Sequence, residues 1–353
     1  MTVIIFIIVL AILIFVHELG HFIIAKACGI RVDAFALGFG PKLIKKTIGE
    51  VTYSINLIPF GGYVKIFGET PDSDSILGPD HKRSFVHKPK WQQIAVLFAG
   101  IFFNFLFAWL LITIAFTSGV PASVESYPEY NNRISNERII ITEINQGSPA
   151  EKAGLKAGDQ LIADSLEEIQ NKINNSKGNS IEINYIRNNI QSKTNVIAER
   201  GIVEGKYAIG IAMDKVGNLQ LSFFKAIIEG FRMTLHMISA TVVGIYNLIF
   251  GGISLSAVTG PIGIAGLVGD AARLGFTYLI MFTAIISINL GVLNLIPFPA
   301  LDGGRILFVI IEAIIRRPIK PTIANTVNAI CFGLLILLMI VVTYRDVTKL
   351  FVK

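Results

Sequence analysis

Much of this chain's apolar content falls in long runs with few polar positions. Four runs, 2–28, 91–118, 274–301 and 322–344, are each long enough to cross a hydrocarbon core about 30 Å thick at about 1.5 Å per residue. Between the second and third the pattern changes. Residues 125–215 carry asparagines, charged residues and strand-like segments such as Ile139–Ile144 and Ile181–Ile186, which predict an inserted soluble α/β domain. In the loop 29–90, Val51–Leu57 and Tyr63–Phe67 are β-prone, with Gly49-Glu50 and Gly61-Gly62 as turns. The prediction is a multispan α-helical membrane protein of about four transmembrane helices, with an inserted extracytoplasmic α/β domain and a β element that is either membrane-associated or a peripheral cytoplasmic hairpin.

Residues 221–269 fit neither class cleanly. Lys225, Glu229, Arg232 and His236 recur at helical spacing, whereas 237–269 contains no Asp, Glu, Lys or Arg. A polar stripe on an apolar helix is the pattern of an element lying in the membrane interface. The segment is therefore read as interfacial or re-entrant, broken at Gly251-Gly252 and Gly260-Pro261. The resulting division is 1–120, 125–215, 221–269 and 274–353.

Composition agrees: 353 residues, 52% hydrophobic and 16% charged, are too apolar for a soluble protein of this length. The net charge of +6 comes from loops beside the spans, where it sets orientation and gives no sign of a nucleic-acid site. The loop 29–90 holds nine Lys and Arg between Arg31 and Lys90, and the third-to-fourth connection holds Arg305, Arg316, Arg317 and Lys320. Both are expected in the cytoplasm, with 125–215 outside it. The basic tail, Arg345 to Lys353, runs mildly against that rule. Cys28 and Cys331 lie far apart in sequence, so no disulfide framework is expected. No basic leader or cleavage pattern precedes His17, so the first run reads as a retained span.

The first run contains His17-Glu18-Leu19-Gly20-His21. Histidines four apart on a helix are rotated by roughly 40° and displaced by about 6 Å, so both imidazoles can reach one metal, with Glu18 beside it as a general base. Ionisable groups inside a span are costly and point to function. A catalytic zinc takes three protein ligands and keeps one position open. Asp302 is the candidate for the third. It ends the segment Asn294-Leu295-Ile296-Pro297-Phe298-Pro299-Ala300-Leu301-Asp302-Gly303-Gly304, in which Pro297 and Pro299 must interrupt the third span. The alternative is that Asp302 only caps a following helix, 305–315. Parity of the spans brings Asp302 and the histidines to the same side, near the cytoplasmic face.

With these motifs the chain resembles the site-2 protease family of intramembrane zinc metalloproteases, in particular its bacterial RseP-type branch. The family's HExxH corresponds to His17, Glu18 and His21, and its NxxPxPxLDG to Asn294, Pro297, Pro299, Leu301, Asp302 and Gly303. The resemblance implies Zn2+ bound by His17, His21 and Asp302, with Glu18 activating water. It implies substrate-side roles for Asn294, Pro297, Pro299 and Asn104. Residues Gly147-Ser148-Pro149-Ala150, Ala153-Gly154-Leu155 and Gly158-Asp159 resemble part of a bacterial PDZ domain. That domain is expected either to take a freshly cut chain end or to exclude bulky proteins.

The implied activity is cleavage of transmembrane segments in regulated intramembrane proteolysis at the bacterial inner membrane. Expected partners are the lipid bilayer and single-span membrane proteins, among them anti-sigma factors or remnant signal peptides. Two features depart from the branch: 125–215 has room for one PDZ domain and not a tandem pair, and Gly100-Ile101-Phe102-Phe103-Asn104 lacks the proline of the family's Gly-Pro-x-x-Asn.

Overall fold

The computed structural model of the protein describes residues 1–70, 73–187, 190–203, 205–252 and 259–351. Positions 71–72, 188–189, 204, 253–258 and 352–353 lie outside them, so part of the segment read as interfacial or re-entrant is not described. The chain forms two compact units, one of residues 1–115 and 223–353, the other of 116–222.

The first unit opens with helix α1, Thr2–Ala27, followed by strands β1, Val32–Ile48, and β2, Val51–Ile66. A short helix α2, Ser73–Leu77, precedes the long α3, Lys90–Ser118. Gly49, at φ 62°, makes the β1–β2 turn expected from the sequence. Gly61-Gly62, read as a second turn, lies instead within β2, where Gly61 bends the strand at φ 90°. The bend folds the hairpin back on itself. Ala34–Leu37 pairs with Gly62–Lys65 and also lies beside Thr52–Ile55, whereas Ile44–Ile48 pairs with Val51–Ile55. Helices α1 and α3 approach at backbone distance, since a Cβ on Gly20 would meet the Ala99 carbonyl oxygen at 2.5 Å. Small residues at helix contacts permit such approach in membranes.

The second unit contains β3 (Val120–Ser123), β4 (Ile134–Ile144), α4 (Pro149–Lys152), β5 (Gln160–Leu161) and α5 (Leu166–Asn175). It continues with β6 (Ser180–Arg187), β7 (Ile190–Ile197), β8 (Glu199–Val203), β9 (Lys206–Ala208) and β10 (Ile211–Leu219). Six strands form one sheet in the order β3-β10-β4-β5-β6-β7, and β8 pairs with β9. Its core is Ile139, Ile141, Leu155, Leu161, Ile169, Ile173, Ile183 and Val196. Ser148 caps α4, its hydroxyl accepting from the Glu151 N–H, with proline at the first helical position.

Asp159, 1% exposed, accepts from the Lys156 backbone N–H and takes both Nε and Nη2 of Arg187 at 2.6 Å. That hydrogen-bonded carboxylate holds the Arg187 guanidinium above its ordinary pKa. Removing one partner of a buried pair strands the other, at a cost of about 3–5 kcal/mol. With Arg187 partly open to water, the lower end applies to Asp159→Ala. The expected result is faster proteolysis within 125–215 in the full chain, read against an unchanged membrane unit.

The remaining helices complete the first unit: α6 (Phe223–Phe250), α7 (Pro261–Leu274), α8 (Phe276–Leu295), α9 (Asp302–Ile315) and α10 (Pro321–Phe351). Among the described residues five helices, α1, α3, α6, α8 and α10, are long and apolar enough to cross a membrane. Four match the spans expected from the apolar runs. The fifth, α6, carries Glu229 paired with Arg232 at 2.8 Å on its first half and ends at Phe250, just before Gly251-Gly252. Helix α7 starts at Pro261, its N-terminal amides at Gly260 and Gly263 donating to the buried Asp346 carboxylate of α10 at 3.2 and 2.8 Å. Apolar helices and β-structure together make this a membrane protein carrying a β domain.

Helix α8 stops at Leu295, before Pro297, as a proline without an N–H requires. The connection folds tightly onto the start of α9: a Cβ on Gly303 would lie 2.4 Å from the Ile296 oxygen, and one on Gly304 2.3 Å from the Phe298 oxygen. Ala300 takes a left-handed conformation at φ 78°, its N–H donating to Asn328 Oδ1 of α10. This compact turn delivers Asp302 to the first turn of α9 with its carboxylate free to leave the helix.

Candidate metal centre

His17 and His21 occupy one face of α1, and Asp302 meets them from α9. Asp302 Oδ2 stands 3.1 Å from His17 Nε2 and 3.4 Å from His21 Nε2, and the two Nε2 atoms are 3.2 Å apart. A tetrahedral ion with bonds of about 2.0–2.1 Å spaces its ligand atoms about 3.3 Å apart. The three edges bracket that spacing.

The donor chemistry fits as well. His21 Nδ1 donates to the Val96 carbonyl at 2.8 Å, which leaves the lone pair on Nε2, facing the other two. Asp302 Oδ2 is buried without a hydrogen-bond partner, although both imidazoles lie within ion-pair distance. Inward-facing lone pairs of two imidazoles and a carboxylate repel one another, and a divalent cation relieves that repulsion. Among the described residues this is the one group of three His, Cys, Asp or Glu side chains placed to hold a metal.

His17 is oriented by Asn104 of α3, whose amide lies 3.0 Å from Nδ1. Ligation through Nε2 puts the imidazole proton on Nδ1, and that proton needs an acceptor. The Asn104 Oδ1 is buried without a partner, and a half-turn of the amide presents it to Nδ1–H. The sequence reading placed Asn104 on the substrate side. In the structure it is fully buried, with its side chain on His17 and its backbone carbonyl accepting from Ser287 Oγ of α8 at 2.8 Å, so its contacts support an orienting role.

Glu18 shares a polar cavity of about 190 Å³ with His17, His21, Asp302, Tyr63, Val64, Ile66, Glu69 and Arg305. The bent strand β2 forms its wall, and a Cβ on Gly62 would come within 3.5 Å of Glu18 Cγ. Asn294 is half-buried at the end of α8, Pro297 exposed and Pro299 half-buried in the connection that follows. None of the three lines the cavity. Asp302 begins α9 but sends its carboxylate to the histidines, so the capping alternative does not describe its contacts.

Sequence reasoning missed Gly100. A Cβ there would lie 2.3 Å from His21 Nε2 and 2.8 Å from His17 Cε1, so glycine keeps α3 clear of the ligand atoms. Its signal was the place four residues before Asn104. Arg305, three residues after Asp302, was read only as a loop charge.

The family profile described as "Peptidase family M50" matches residues 5–338. A protein of Clostridium perfringens is 35% identical over 346 residues, covering 95% of each chain. One of Clostridium acetobutylicum is 32% identical over 357 residues, 98% of this chain and 97% of its own. One of Agrobacterium fabrum is 32% identical over 371 residues, 98% and 95%. All three bear the name "Putative zinc metalloprotease". The chain belongs to peptidase family M50, the site-2 proteases, and is a peptide-bond hydrolase of that class.

Proposed function

We propose that the protein is a zinc metalloendopeptidase that cleaves the membrane-spanning segments of single-span membrane proteins, using Glu18 as the proton carrier. The observation that carries the reading is the meeting of His17, His21 and Asp302 at 3.1–3.4 Å in a polar cavity between apolar helices, with Glu18 on its wall. Zinc held there supplies a Lewis acid that polarises a peptide carbonyl and lowers the pKa of water to about 7. Glu18 accepts the proton that water gives up and hands it to the departing amine, so the peptide bond breaks to a carboxylic acid and an amine. His21, fixed by Val96, and His17, fixed by Asn104, keep their ligand atoms aimed inward throughout.

A spanning helix keeps its peptide groups bonded within itself and must be opened before attack. The outer segment Tyr63–Ile66 of β2 pairs on one edge with Val32–Ala36 and lines the cavity. Its other edge suits an unwound substrate segment adding as a strand. Residues 125–215 act as a PDZ-like domain. A cavity of about 440 Å³ between α5 and the β9–β10 segment, lined by Ile173, Asn174, Tyr207, Ile209 and Ile211, suits an extended peptide end.

The resemblance to the bacterial branch favours the inner membrane, and the basic loops favour the metal near the cytoplasmic face with 125–215 outside it. On that arrangement α6 and α7 form an interfacial or re-entrant element. Anti-sigma factors and remnant signal peptides are substrates of the required single-span type.

The test is metal removal. Chelation is expected to abolish cleavage of a model spanning substrate and added zinc to restore it. His21→Ala and Asp302→Ala are expected to purify with little zinc and no detectable cleavage. Full activity in either variant would overturn the assignment.

A further inference from the structure

We infer that Arg305 forms a carboxylate-binding subsite beside the metal centre, held in reserve by Glu69, that receives the new chain end released by cleavage. The inference rests on the protease reading above. Arg305 and Glu69 are ion-paired, Nη1 to Oε1, joining α9 one turn beyond Asp302 to the segment that leaves β2. Both line the cavity that holds His17, Glu18, His21 and Asp302. Both also line a second cavity, of about 140 Å³, with Gln93, Asn325, Asn328 and Glu312. The pair therefore stands where the two cavities meet.

Charge decides what the subsite takes. The described residues lining the metal cavity carry three carboxylates, Glu18, Glu69 and Asp302, and one permanently cationic group, Arg305. With zinc bound, the carboxylate that hydrolysis creates has two cationic groups within the cavity, the metal and Arg305, while Glu18 and Glu69 repel it. The guanidinium offers a compensating partner, in a fork that matches a carboxylate's two oxygens. It is also available: the Arg305 side chain is 38% exposed and that of Glu69 18%. The pair is open to water on the Arg305 side, so an incoming carboxylate can reach the guanidinium and exchange with Glu69. The exchange breaks no covalent bond. It draws the product away from the metal ligands and toward the second cavity.

The experiment uses full-length Glu18→Gln protein, zinc-loaded in detergent, and fluorescent eight-residue leucine/alanine peptides in three forms. One ends in a free carboxylate, one in an amide, and one in an amide after a final glutamate. Polarisation is expected to show the free acid binding about tenfold tighter than the amide. Adding Arg305→Gln should remove most of that preference, Arg305→Lys should keep part of it, and Glu69→Gln should strengthen acid binding several-fold with the amide unmoved. An acid-to-amide ratio unchanged by both Arg305→Gln and Glu69→Gln would overturn the subsite. Equal gain by the glutamate peptide would overturn the assignment to a chain end. Zinc content of each variant checks the fold, and cleavage by the wild-type protein tests the protease reading separately.

Discussion

Glu18→Gln is expected to reduce cleavage of a spanning substrate by about 10³-fold or more in kcat while zinc stays near one per chain. General-base catalysis typically contributes about 10²–10⁴, and here the same carboxyl must both take and return the proton. Glutamine matches glutamate in size and cannot accept that proton at neutral pH. Glu18 lies outside the group of ligand atoms, which belong to His17, His21 and Asp302, so the metal has no reason to leave. Its position beside Gly62 on the wall of the cavity also predicts little change in KM. Zinc analysis and a cleavage assay on the same preparation separate the two effects. Near-wild-type turnover in the variant would remove Glu18 from the mechanism.

Gly100→Ala should produce the opposite separation, loss of metal in a protein that is still folded. The added methyl would stand 2.3 Å from His21 Nε2 and 2.7 Å from its Cε1. Neither side can give way cheaply. The ring is tied to Val96 through Nδ1, and α3 is pressed against α1 at Gly20 and bonded to α8 through Ser287 and Asn104. Displacing a ligand's surroundings commonly costs 10–100-fold in metal affinity, and a methyl group placed at the ligand atom itself should exceed the upper end. Alanine is the better helix former by about 1 kcal/mol, so α3 should not unfold. Competition with a zinc chelator gives the affinity, and thermal unfolding gives the fold. Wild-type affinity in Gly100→Ala would mean that the imidazoles are arranged otherwise.

The spans of α1, α3, α8 and α10 were legible because a membrane imposes length and apolarity on consecutive residues, a purely local constraint. The inserted domain was legible from the shift to alternating strands such as Ile181–Ile186. Strand β1, Val32–Ile48, was not. Its Gly38, Gly40, Pro41 and lysines break the alternation, and it is held by partners in β2 that only the folded hairpin supplies. The bend at Gly61, read as a turn, is likewise a matter of which edge the strand meets. Asn104 was legible as a motif residue but its contact with His17 was not, because nothing along the sequence places its amide 3.0 Å from a ring 87 positions away.

By itself the sequence determined the chemistry available: two histidines one turn apart with a carboxylate between them, and an aspartate after a proline-broken span. Those follow from helical periodicity and from the missing N–H of proline, both set by neighbouring residues. Only the tertiary structure decided that α9 meets α1 at hydrogen-bond distance, that Gly100 leaves room there, and that Arg305 and Glu69 close one side of the chamber. These are contacts across 79 to 285 positions. Their energies depend on packing and on burial away from water, which no local pattern records.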